Sequence, residues 1–267
     1  MSLNEEQSHH APHAIAPLRG RKRTMWATLA GAAVAASLTA GLTMFADIPR
    51  RPKGGSAVRF VASPPAAPGS SRSGGLAFVS PDGLQLVWVL SNDGKTVLAT
   101  QRFDSSDPIY LAGTEGARWP FWSADSRAPG FFSQGALKRV DASGGPAVTI
   151  VQAPFGEGGT WSRNGVIVFA PDRGGPLYQV SAAGGRATPL TALDRSRGEV
   201  SHRWPVFLPD GRHFVYFASA SQTEHRGLYV GDLGSSDRRW LGAADGGAAY
   251  TPPGYAQLFE LQAAAYP

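Results

Sequence analysis

Cysteine is absent from this sequence of 267 residues. No disulfide framework, thiolate metal site or cysteine nucleophile can therefore contribute to its fold or its chemistry. Amphipathic patterns of helical length are also absent after residue 54. What the chain does contain is 33 glycines and 21 prolines beside 42 % hydrophobic residues, a combination typical of many short strands joined by turns.

A strong positive charge is missing from most of the chain. Residues 1–53 carry seven Lys or Arg against three Asp or Glu, whereas residues 54–267 carry 18 against 17. The net charge of +5 therefore comes mostly from the N-terminal segment. Because the remainder shows no basic excess, we expect no nucleic acid among the partners.

Catalytic motifs are missing as well. The sequence has no Gly-rich phosphate loop, no His-Arg-Asp or Asp-Phe-Gly, and no Gly-x-Ser-x-Gly elbow. The His-Glu-x-x-His and Cys-x-x-Cys metal spacings are also absent. We therefore expect no enzyme, no cofactor, and no catalytic, cofactor-binding or metal residue. An enzyme whose site is completed only in an assembly is the least favoured alternative.

The N-terminal segment has the layout of a membrane anchor. Residues 1–24 form a polar, basic tail, in which the nearby His9, His10 and His13 fit a solvated tail better than a metal site. Residues 24–46 are free of charge, and as a helix they would span about 34 Å, enough for a bilayer core of about 30 Å. We predict a transmembrane helix at residues 25–46. A cleaved signal peptide ending near Met44-Phe45-Ala46 and a buried soluble helix are the alternatives.

Basic residues flank this predicted helix on both sides, at Arg19–Arg23 and at Arg50, Arg51 and Lys53. The positive-inside rule slightly favours a cytoplasmic N-terminus, which predicts a single-pass protein of the bacterial inner membrane with its C-terminal part extracytoplasmic. A row of small residues at Ala27, Gly31 and Ala35 would let two helices pack closely, so self-association is a further prediction. Residues 47–75, rich in Pro, Gly and Ser, predict a flexible or partly extended linker.

A four-residue turn recurs from Gly75 onward, with Ser-Pro-Asp-Gly as its first copy. In this turn proline presets φ, aspartate can bond its own backbone, and glycine accepts a positive φ. The second residues of successive turns are 43, 39, 46 and 43 residues apart, a period typical of propeller blades with four strands each. The turns lie at residues 80–83, 123–126, 162–165, 208–211 and 251–254.

Short apolar runs surround each turn and predict the strands of every blade. Predicted first strands lie at 76–79, 119–122, 160–161 and 204–207, and second strands at 86–89, 130–132, 166–169 and 214–217. Predicted third strands lie at 137–140, 177–180 and 228–230, and fourth strands at 148–151, 187–190 and 239–241. Because one blade cannot bury both of its faces, we expect Trp122, Trp161, Phe207 and Phe217 to form the core between blades, with an aromatic ligand platform as the alternative.

The turn followed by an apolar strand resembles the TolB-type, WD-like β-propeller repeat. More narrowly, residues 203–214, which begin Arg203-Trp204-Pro205, together with residues 177–185, are similar to the extracytoplasmic propeller of bacterial membrane-anchored serine/threonine kinases. The resemblance covers residues 76–257 and implies an all-β propeller that binds a protein or small-molecule ligand at its rim or channel. In those kinases a kinase domain precedes a basic run, one transmembrane helix, a linker and the propeller, so the layout here matches that scheme without the kinase.

Two features depart from the pattern. Residues 76–267 provide four blades and part of a fifth, whereas propellers close with roughly four to eight blades and the family usually has six or more. We therefore expect an exposed apolar face on the first and last blades, available for a partner. Pro129 lies where the second strand of the second blade should begin, and proline suits only an edge or the start of a strand there.

A few polar residues are candidates for a site. His202 with Glu199 and Arg203 predicts either a polar site at a blade junction or, more simply, a structural hydrogen bond. Arg195, Arg197 and Arg203 cluster in sequence around Glu199, where they would bind an anion or remain solvated. The turn residues Asp82, Asp125 and Asp210 predict backbone-bonded turns in preference to cation ligands.

Overall fold

The computed structural model describes residues 63–69, 75–251 and 255–258. Among these residues, no helix is long and apolar enough to span a membrane. The predicted tail at 1–24 and the predicted transmembrane helix at 25–46 lie outside the described residues, so both stay predictions. Helical structure in the described part is limited to two single turns, Arg195–Arg197 and Thr223–His225.

The described chain folds into four antiparallel sheets of four strands each, followed by a two-stranded hairpin. Within every four-stranded sheet the strands are paired in sequence order, as in a propeller blade. Blade 1 contains β1 (Gly75–Val79), β2 (Gln85–Asn92), β3 (Lys95–Arg102) and β4 (Ile109–Tyr110). Blade 2 contains β5 (Arg118–Trp122), β6 (Pro129–Ser133), β7 (Ala136–Arg139) and β8 (Val148–Gln152).

The remaining strands repeat this arrangement. Blade 3 contains β9 (Gly159–Trp161), β10 (Val166–Phe169), β11 (Tyr178–Ser181) and β12 (Thr188–Pro189). Blade 4 contains β13 (Glu199–Phe207), β14 (His213–Ala220), β15 (Gly227–Asp232) and β16 (Ser235–Ala243). The hairpin of β17 (Ala248–Thr251) and β18 (Tyr255–Leu258) begins a fifth blade, so the prediction of four blades and part of a fifth is confirmed.

The recurring turn joins the first two strands of each blade. A backbone hydrogen bond closes each turn. The N–H of Gly83 donates to the carbonyl of Ser80, and the N–H of Gly211 to the carbonyl of Leu208, both at 2.9 Å. Equivalent bonds close the turns at 123–126 and 162–165. Residues 83, 126, 165 and 211 all have a positive φ, which explains the glycine at three of the four positions. The fifth predicted turn lies mostly outside the described residues, but Thr251 and Tyr255 pair on either side of it.

The sequence interpretation missed the third and fourth strands of blade 1. Strand β3 pairs with β2 through a two-residue hairpin in which Asn92 faces Lys95. Asp93 and Gly94 between them have φ values of 50° and 75°. This is the left-handed geometry that an Asp-Gly hairpin turn adopts, so the dipeptide was the available signal.

Apolar clusters fill the space between neighbouring blades, as predicted. Trp122 of blade 2 packs with Val87 and Leu98 of blade 1. Trp161 lies against the cluster of blades 2 and 3, and Phe207 lies against the cluster of blades 3 and 4. The clusters also include Phe217, which packs with Val215, Leu228 and Ala248 between blade 4 and the final hairpin. The assignment of these four aromatic residues to the inter-blade core is therefore confirmed.

The outer face of blade 1 differs from the expectation of an exposed apolar patch. Leu86, Trp88 and Leu90 are only 4 %, 4 % and 0 % exposed. Ala67, from the predicted linker, packs in the same cluster, and the Tyr110 hydroxyl donates a hydrogen bond of 2.7 Å to the carbonyl of Ala66. The expected exposed face is thus wrong for these residues, because residues 63–69 lie on blade 1.

Proline 129 is the first residue of β6, as its missing backbone N–H requires. It pairs with Trp122 at the end of β5 next to the turn. The first strands also contact one another from blade to blade, with β9 touching both β5 and β13, and β13 touching β17. These first strands therefore form the inner layer of the described blades, and the candidate site lies beside them.

Candidate ligand-binding site on the inner strands

The three inner strands from blades 2, 3 and 4 share a kink at one position. Trp119, Gly158 and Trp204 each precede the turn of their blade by four residues, and their φ values are 48°, 92° and 50°. In blades 2 and 4 the strand register shifts at this point, which is a β-bulge. A bulge bends the strand and changes the direction of the neighbouring side chains.

The kink is stabilised by contacts between blades. The rings of Trp119 and Trp204 lie 6.0 Å apart, and Trp204 also stacks on Phe217 at 5.5 Å. A Cβ on Gly158 would come within 2.9 Å of the Trp204 ring, so only glycine fits between them. The backbone N–H of Trp204 donates a 3.2 Å hydrogen bond to the carbonyl of Glu157. Blade 3 therefore has glycine at the position where blades 2 and 4 have tryptophan, because the Trp204 ring occupies the space that a side chain would fill.

The residue just before each kink is charged. These residues are Arg118 in blade 2, Glu157 in blade 3 and Arg203 in blade 4. Arg173, on the loop between β10 and β11, adds a third guanidinium, with its Nε 3.6 Å from Oε1 of Glu157. We call Arg118, Glu157, Arg173 and Arg203 the inner-strand cluster. It brings three positive charges near the carboxylate of Glu157, and the charge of Asp172 also reaches this carboxylate.

The carboxylate of Glu157 is buried but weakly bonded. The residue is 9 % exposed, and its side chain accepts no hydrogen bond from any described residue. Burial raises the pKa of Glu157 above its ordinary value, although the charges of Arg203, Arg118 and Arg173 act in the opposite direction. The negative charge of Asp172 adds to the rise. The arginines therefore lie close enough to influence this carboxylate without satisfying it.

The arginines of the cluster differ in how they are held. Arg203 donates to the Ser201 hydroxyl at 2.9 Å and to the backbone carbonyl of Arg173 at 2.6 Å. The guanidinium of Arg173 lies 5.5 Å from the centre of the half-exposed Phe155 ring. The half-buried Arg118 makes no side-chain hydrogen bond or ion pair with any residue that the structure describes. Arg118 is thus the guanidinium with the greatest unused capacity to donate hydrogen bonds.

A second polar network lies between blades 3 and 4. Oε1 of Glu199 is 2.7 Å from the Arg238 guanidinium, and Oε2 is 3.1 Å from Nε2 of His202. The backbone N–H of Asp194 donates to Oε2 at 2.8 Å. Nδ1 of His202 lies 2.8 Å from the hydroxyl of Thr191, which itself accepts from the backbone of Leu177. We call Glu199, His202 and Arg238 the interior network.

Each side chain of the interior network has a close polar partner, although Oε1 of Glu199 meets Arg238 as an ion pair and accepts no hydrogen bond. The side chains of Glu199 and His202 are both 0 % exposed. Burial by itself would raise the pKa of Glu199, but hydrogen bonds from His202 and Arg238 outweigh it and lower the pKa to about 2. Burial also lowers the pKa of His202, so its neutral ring donates from Nε2 and accepts the Thr191 hydroxyl at Nδ1. The predicted structural hydrogen bond between His202 and Glu199 is confirmed.

The arginines that cluster near Glu199 in sequence do not bind its carboxylate, and Arg195 and Arg197 are exposed, as the solvated alternative predicts. Arg203 belongs to the inner-strand cluster, and Arg197 pairs instead with Asp194 at 3.2 Å. Arg195 reaches only the backbone carbonyl of Glu199, at 3.2 Å. The carboxylate is bound by Arg238, which lies 39 residues further along the chain on β16. No local sequence pattern connects the two residues, so the pairing depends on the tertiary fold.

The turn aspartates bond as predicted. Asp82 accepts hydrogen bonds from the Ser80 hydroxyl and the backbone of Leu84. Asp125 accepts in the same way from Ser123 and Arg127, and Asp210 accepts from the backbones of Arg212 and His213. Within residues 63–69, 75–251 and 255–258, no group of three or more His, Asp or Glu side chains is arranged to hold a metal ion. The three histidines of the N-terminal tail lie outside these ranges.

A cavity of about 400 Å³ opens beside the interior network. Its walls include Tyr216, Arg238 and the segment from Leu190 to Arg195. A neighbouring cavity of about 460 Å³ shares Asp232, Asp237 and Arg238 with the first. Because Arg238 is already bonded to Glu199, its charge is not free for a ligand of these cavities.

Solved structures with a similar fold exist. TolB from Acinetobacter baumannii matches with a TM-score of 0.56 and 15% identity, over 67% of this chain and 46% of that one. A putative TolB from Agrobacterium tumefaciens matches with a TM-score of 0.50 and 17% identity, over 65% of this chain and 63% of that one. The match therefore spans less than two thirds of either TolB chain.

Comparison of the amino-acid sequence with family models and with curated proteins identifies no relative. At 15–17% identity the likeness to the solved structures concerns the fold alone. It agrees with the TolB-type repeat that the turns predict. The described part of this chain is thus an all-β fold of antiparallel blades whose structural neighbours are TolB-like β-propellers.

Proposed function

We propose that this chain is a non-catalytic, ligand- or protein-binding β-propeller module. The observation that carries the proposal is the inner-strand cluster, where Arg118, Glu157 and Arg203 occupy equivalent positions on the touching inner strands of three blades. Its charges are only partly paired within the molecule, since Glu157 has one ion pair of 3.6 Å and Arg118 has none with a described residue. Partly buried charges of this kind gain free energy when a complementary ligand binds them.

The module would be anchored in the bacterial inner membrane by residues 25–46, with the propeller outside the cytoplasm. This part of the proposal is supported by the layout of a basic run, a charge-free stretch of 23 residues and a linker ahead of the blades. The same order occurs in the receptor serine/threonine kinases that the repeat resembles. In that setting the propeller would act as the sensor that receives an extracytoplasmic signal.

A periplasmic TolB-like interaction scaffold, released after signal-peptide cleavage, is the second candidate. It is favoured by the fold of the two TolB structures, and it needs the same binding surface. Carbonate extraction of membranes, followed by intact mass measurement, separates the two candidates. An anchored sensor stays in the membrane at full mass, whereas a released scaffold is extracted and lacks the mass of its first 46 or so residues.

Site-specific photo-cross-linking tests the binding function itself. We would replace the half-exposed Phe155 by benzoylphenylalanine and, as a matched control, the partly exposed Trp240 on the outer strand β16. Ligand binding at the inner-strand cluster predicts a defined covalent adduct from position 155 and little from position 240. Equal labelling from both positions, or labelling from position 240 alone, would contradict the proposed site.

A further inference from the structure

The inner-strand cluster also indicates what kind of ligand it binds. We infer that the ligand carries carboxylate groups, and that Arg118 and Arg203 bind one of them directly beside Glu157. This inference rests on the proposed binding function and assigns a chemical class to its ligand. The shared chemistry is the carboxylate, whether it belongs to an acidic side chain of a protein partner or to a free small acid.

The charge of the cluster favours an anionic ligand. Arg173 lies 3.6 Å from Glu157, Arg203 donates to the carbonyl of Arg173, and β5, which carries Arg118, touches β9, which follows Glu157. The charge of the exposed Asp172 also reaches Glu157. Even with both carboxylates ionised, an excess of one positive charge remains on the inner layer. A ligand with negative charge reduces this excess, whereas a cationic ligand would increase it.

The geometry of the cluster also suits a carboxylate. Arg203 is fixed by its bonds to Ser201 and to the carbonyl of Arg173, so its guanidinium plane is oriented before any ligand arrives. Orientation of this kind reduces the entropy lost on binding. Arg118 stands at the equivalent position of blade 2 and has its donors unused by described residues. Planar guanidinium groups with free donors suit the two oxygens of a carboxylate.

Glu157 sets the pH dependence of the cluster. It already places a carboxylate beside these arginines, and its only described ion pair is 3.6 Å long, with the exposed Arg173. A ligand carboxylate would therefore compete with Glu157 for the same guanidinium groups. Because burial raises the pKa of Glu157, protonation relieves that competition more easily than it would at an ordinary glutamate. We expect the affinity for a carboxylate ligand to rise as the pH falls and Glu157 takes up its proton.

The experiment measures fluorescence anisotropy with fluorescein-labelled hexaglutamate as the probe, on the intact purified chain at about 50 mM salt. Labelled hexalysine of the same length is the charge-reversed control. We expect saturable binding of hexaglutamate and none of hexalysine. Succinate is then added as a competitor. Displacement by millimolar succinate indicates that a free dicarboxylate suffices, and its failure to displace assigns the ligand to an acidic peptide.

Two pairs of variants separate a specific site from general electrostatic attraction. Arg118→Ala should weaken hexaglutamate binding at least tenfold, whereas Arg186→Ala, which removes the same charge from an exposed position on another strand connection, should change it less than twofold. Glu157→Gln should strengthen binding several-fold by removing the competing carboxylate. Glu224→Gln adds the same net charge at an exposed site and should have no such effect.

Several outcomes would overturn the inference. These are an absence of hexaglutamate binding, equal effects of Arg118→Ala and Arg186→Ala, and weaker binding by Glu157→Gln. Far-ultraviolet circular dichroism of each variant confirms that it is folded. The cross-linking experiment at position 155 is independent of charge, so an adduct there without carboxylate binding would refute the ligand class and leave the proposed function standing. If hexaglutamate does not bind and position 155 gives no adduct, both the ligand class and the proposed function are refuted.

Discussion

Glu157 and Glu199 are both buried carboxylates that lie near arginines, but their pKa values are shifted in opposite directions. Glu199 receives hydrogen bonds from Arg238, His202 and the backbone of Asp194, and its pKa falls to about 2. Glu157 has a single ion pair of 3.6 Å with an exposed arginine, and burial raises its pKa. Proximity to positive charge is therefore not enough to lower the pKa of a buried carboxyl group. Short hydrogen bonds to the ionised form decide whether the effect of burial is overcome.

This difference separates a structural role from a binding role. The interior network connects the end of blade 3 to the first and last strands of blade 4 and leaves little charge unsatisfied. The inner-strand cluster leaves charge unsatisfied in the layer where successive blades meet. Unsatisfied charge reduces the stability of a folded protein, so its presence indicates a role in binding.

The largest expected difference between the two carboxylates concerns stability. Glu199→Gln should lower the free energy of unfolding by about 3–5 kcal/mol, because it leaves the partly buried Arg238 charge with only a 3.6 Å ion pair to Asp194. Glu157→Gln, the matched control, should change it by less than about 1 kcal/mol, because no short hydrogen bond is lost. Urea denaturation measures both values. Equal destabilisation by Glu157→Gln and Glu199→Gln would contradict the distinction between the two carboxylates.

The pH dependence of stability should show the same contrast. The pKa of Glu199 is lowered from 4.5 to about 2, so its stabilisation is present above pH 4.5 and is lost as the pH falls through about 2. His202 also has a lowered pKa, and its contribution declines as the pH falls below 6.5. Glu157, with a raised pKa, instead destabilises the fold as the pH rises through its folded-state value.

Melting temperatures measured between about pH 3 and pH 7 test these signs. Glu199→Gln should flatten the profile below pH 4.5, and Glu157→Gln should make the fall toward acid steeper. A steeper profile for Glu199→Gln would show that the network does not hold this residue ionised.

A smaller effect is expected at the kink of blade 3. Gly158→Ala places a Cβ at a φ of 92° and within 2.9 Å of the Trp204 ring, so it should cost about 2 kcal/mol of stability. Gly185→Ala has a φ of 120° but open space around it, and it measures the backbone strain alone. The two variants should differ in urea denaturation by about 1 kcal/mol or more. Equal costs would mean that Trp204 can move aside.

The smallest effect should come from Thr191, which supports the interior network at its edge. Thr191→Val removes the hydroxyl that lies 2.8 Å from His202 and accepts from the backbone of Leu177, at a cost of about 1 kcal/mol. Thr188→Val, on the exposed short strand β12, is the control and should be close to neutral. An unchanged unfolding midpoint for Thr191→Val would argue against this hydrogen bond.

The repeat made most of the fold predictable from sequence. Each turn fixes a strand before it and another after it, and aromatic residues such as Trp122 and Phe217 must then lie between blades. Strand β3 was missed because it contains no aromatic residue, and β4 because it has only two residues, although Asp93-Gly94 signals the hairpin.

The charged contacts were less predictable. Arg238 and Glu199 meet through the register of β13 to β16, which no local pattern specifies. Glu157 was missed because the Gly158-Gly159 sequence after it hides its equivalence to Arg118 and Arg203. Alignment of the blades on their turns would have revealed that equivalence.

The most direct test of this account is the titration of the two carboxyl groups by nuclear magnetic resonance. With ¹³C-labelled glutamate, the Glu157→Gln and Glu199→Gln variants assign the two side-chain resonances. We predict that Glu157 titrates above 4.5 and that Glu199 remains ionised until about pH 2. Titration of both residues at the same pH, or in the reverse order, would contradict the assignment of one carboxylate to the structure and the other to the ligand.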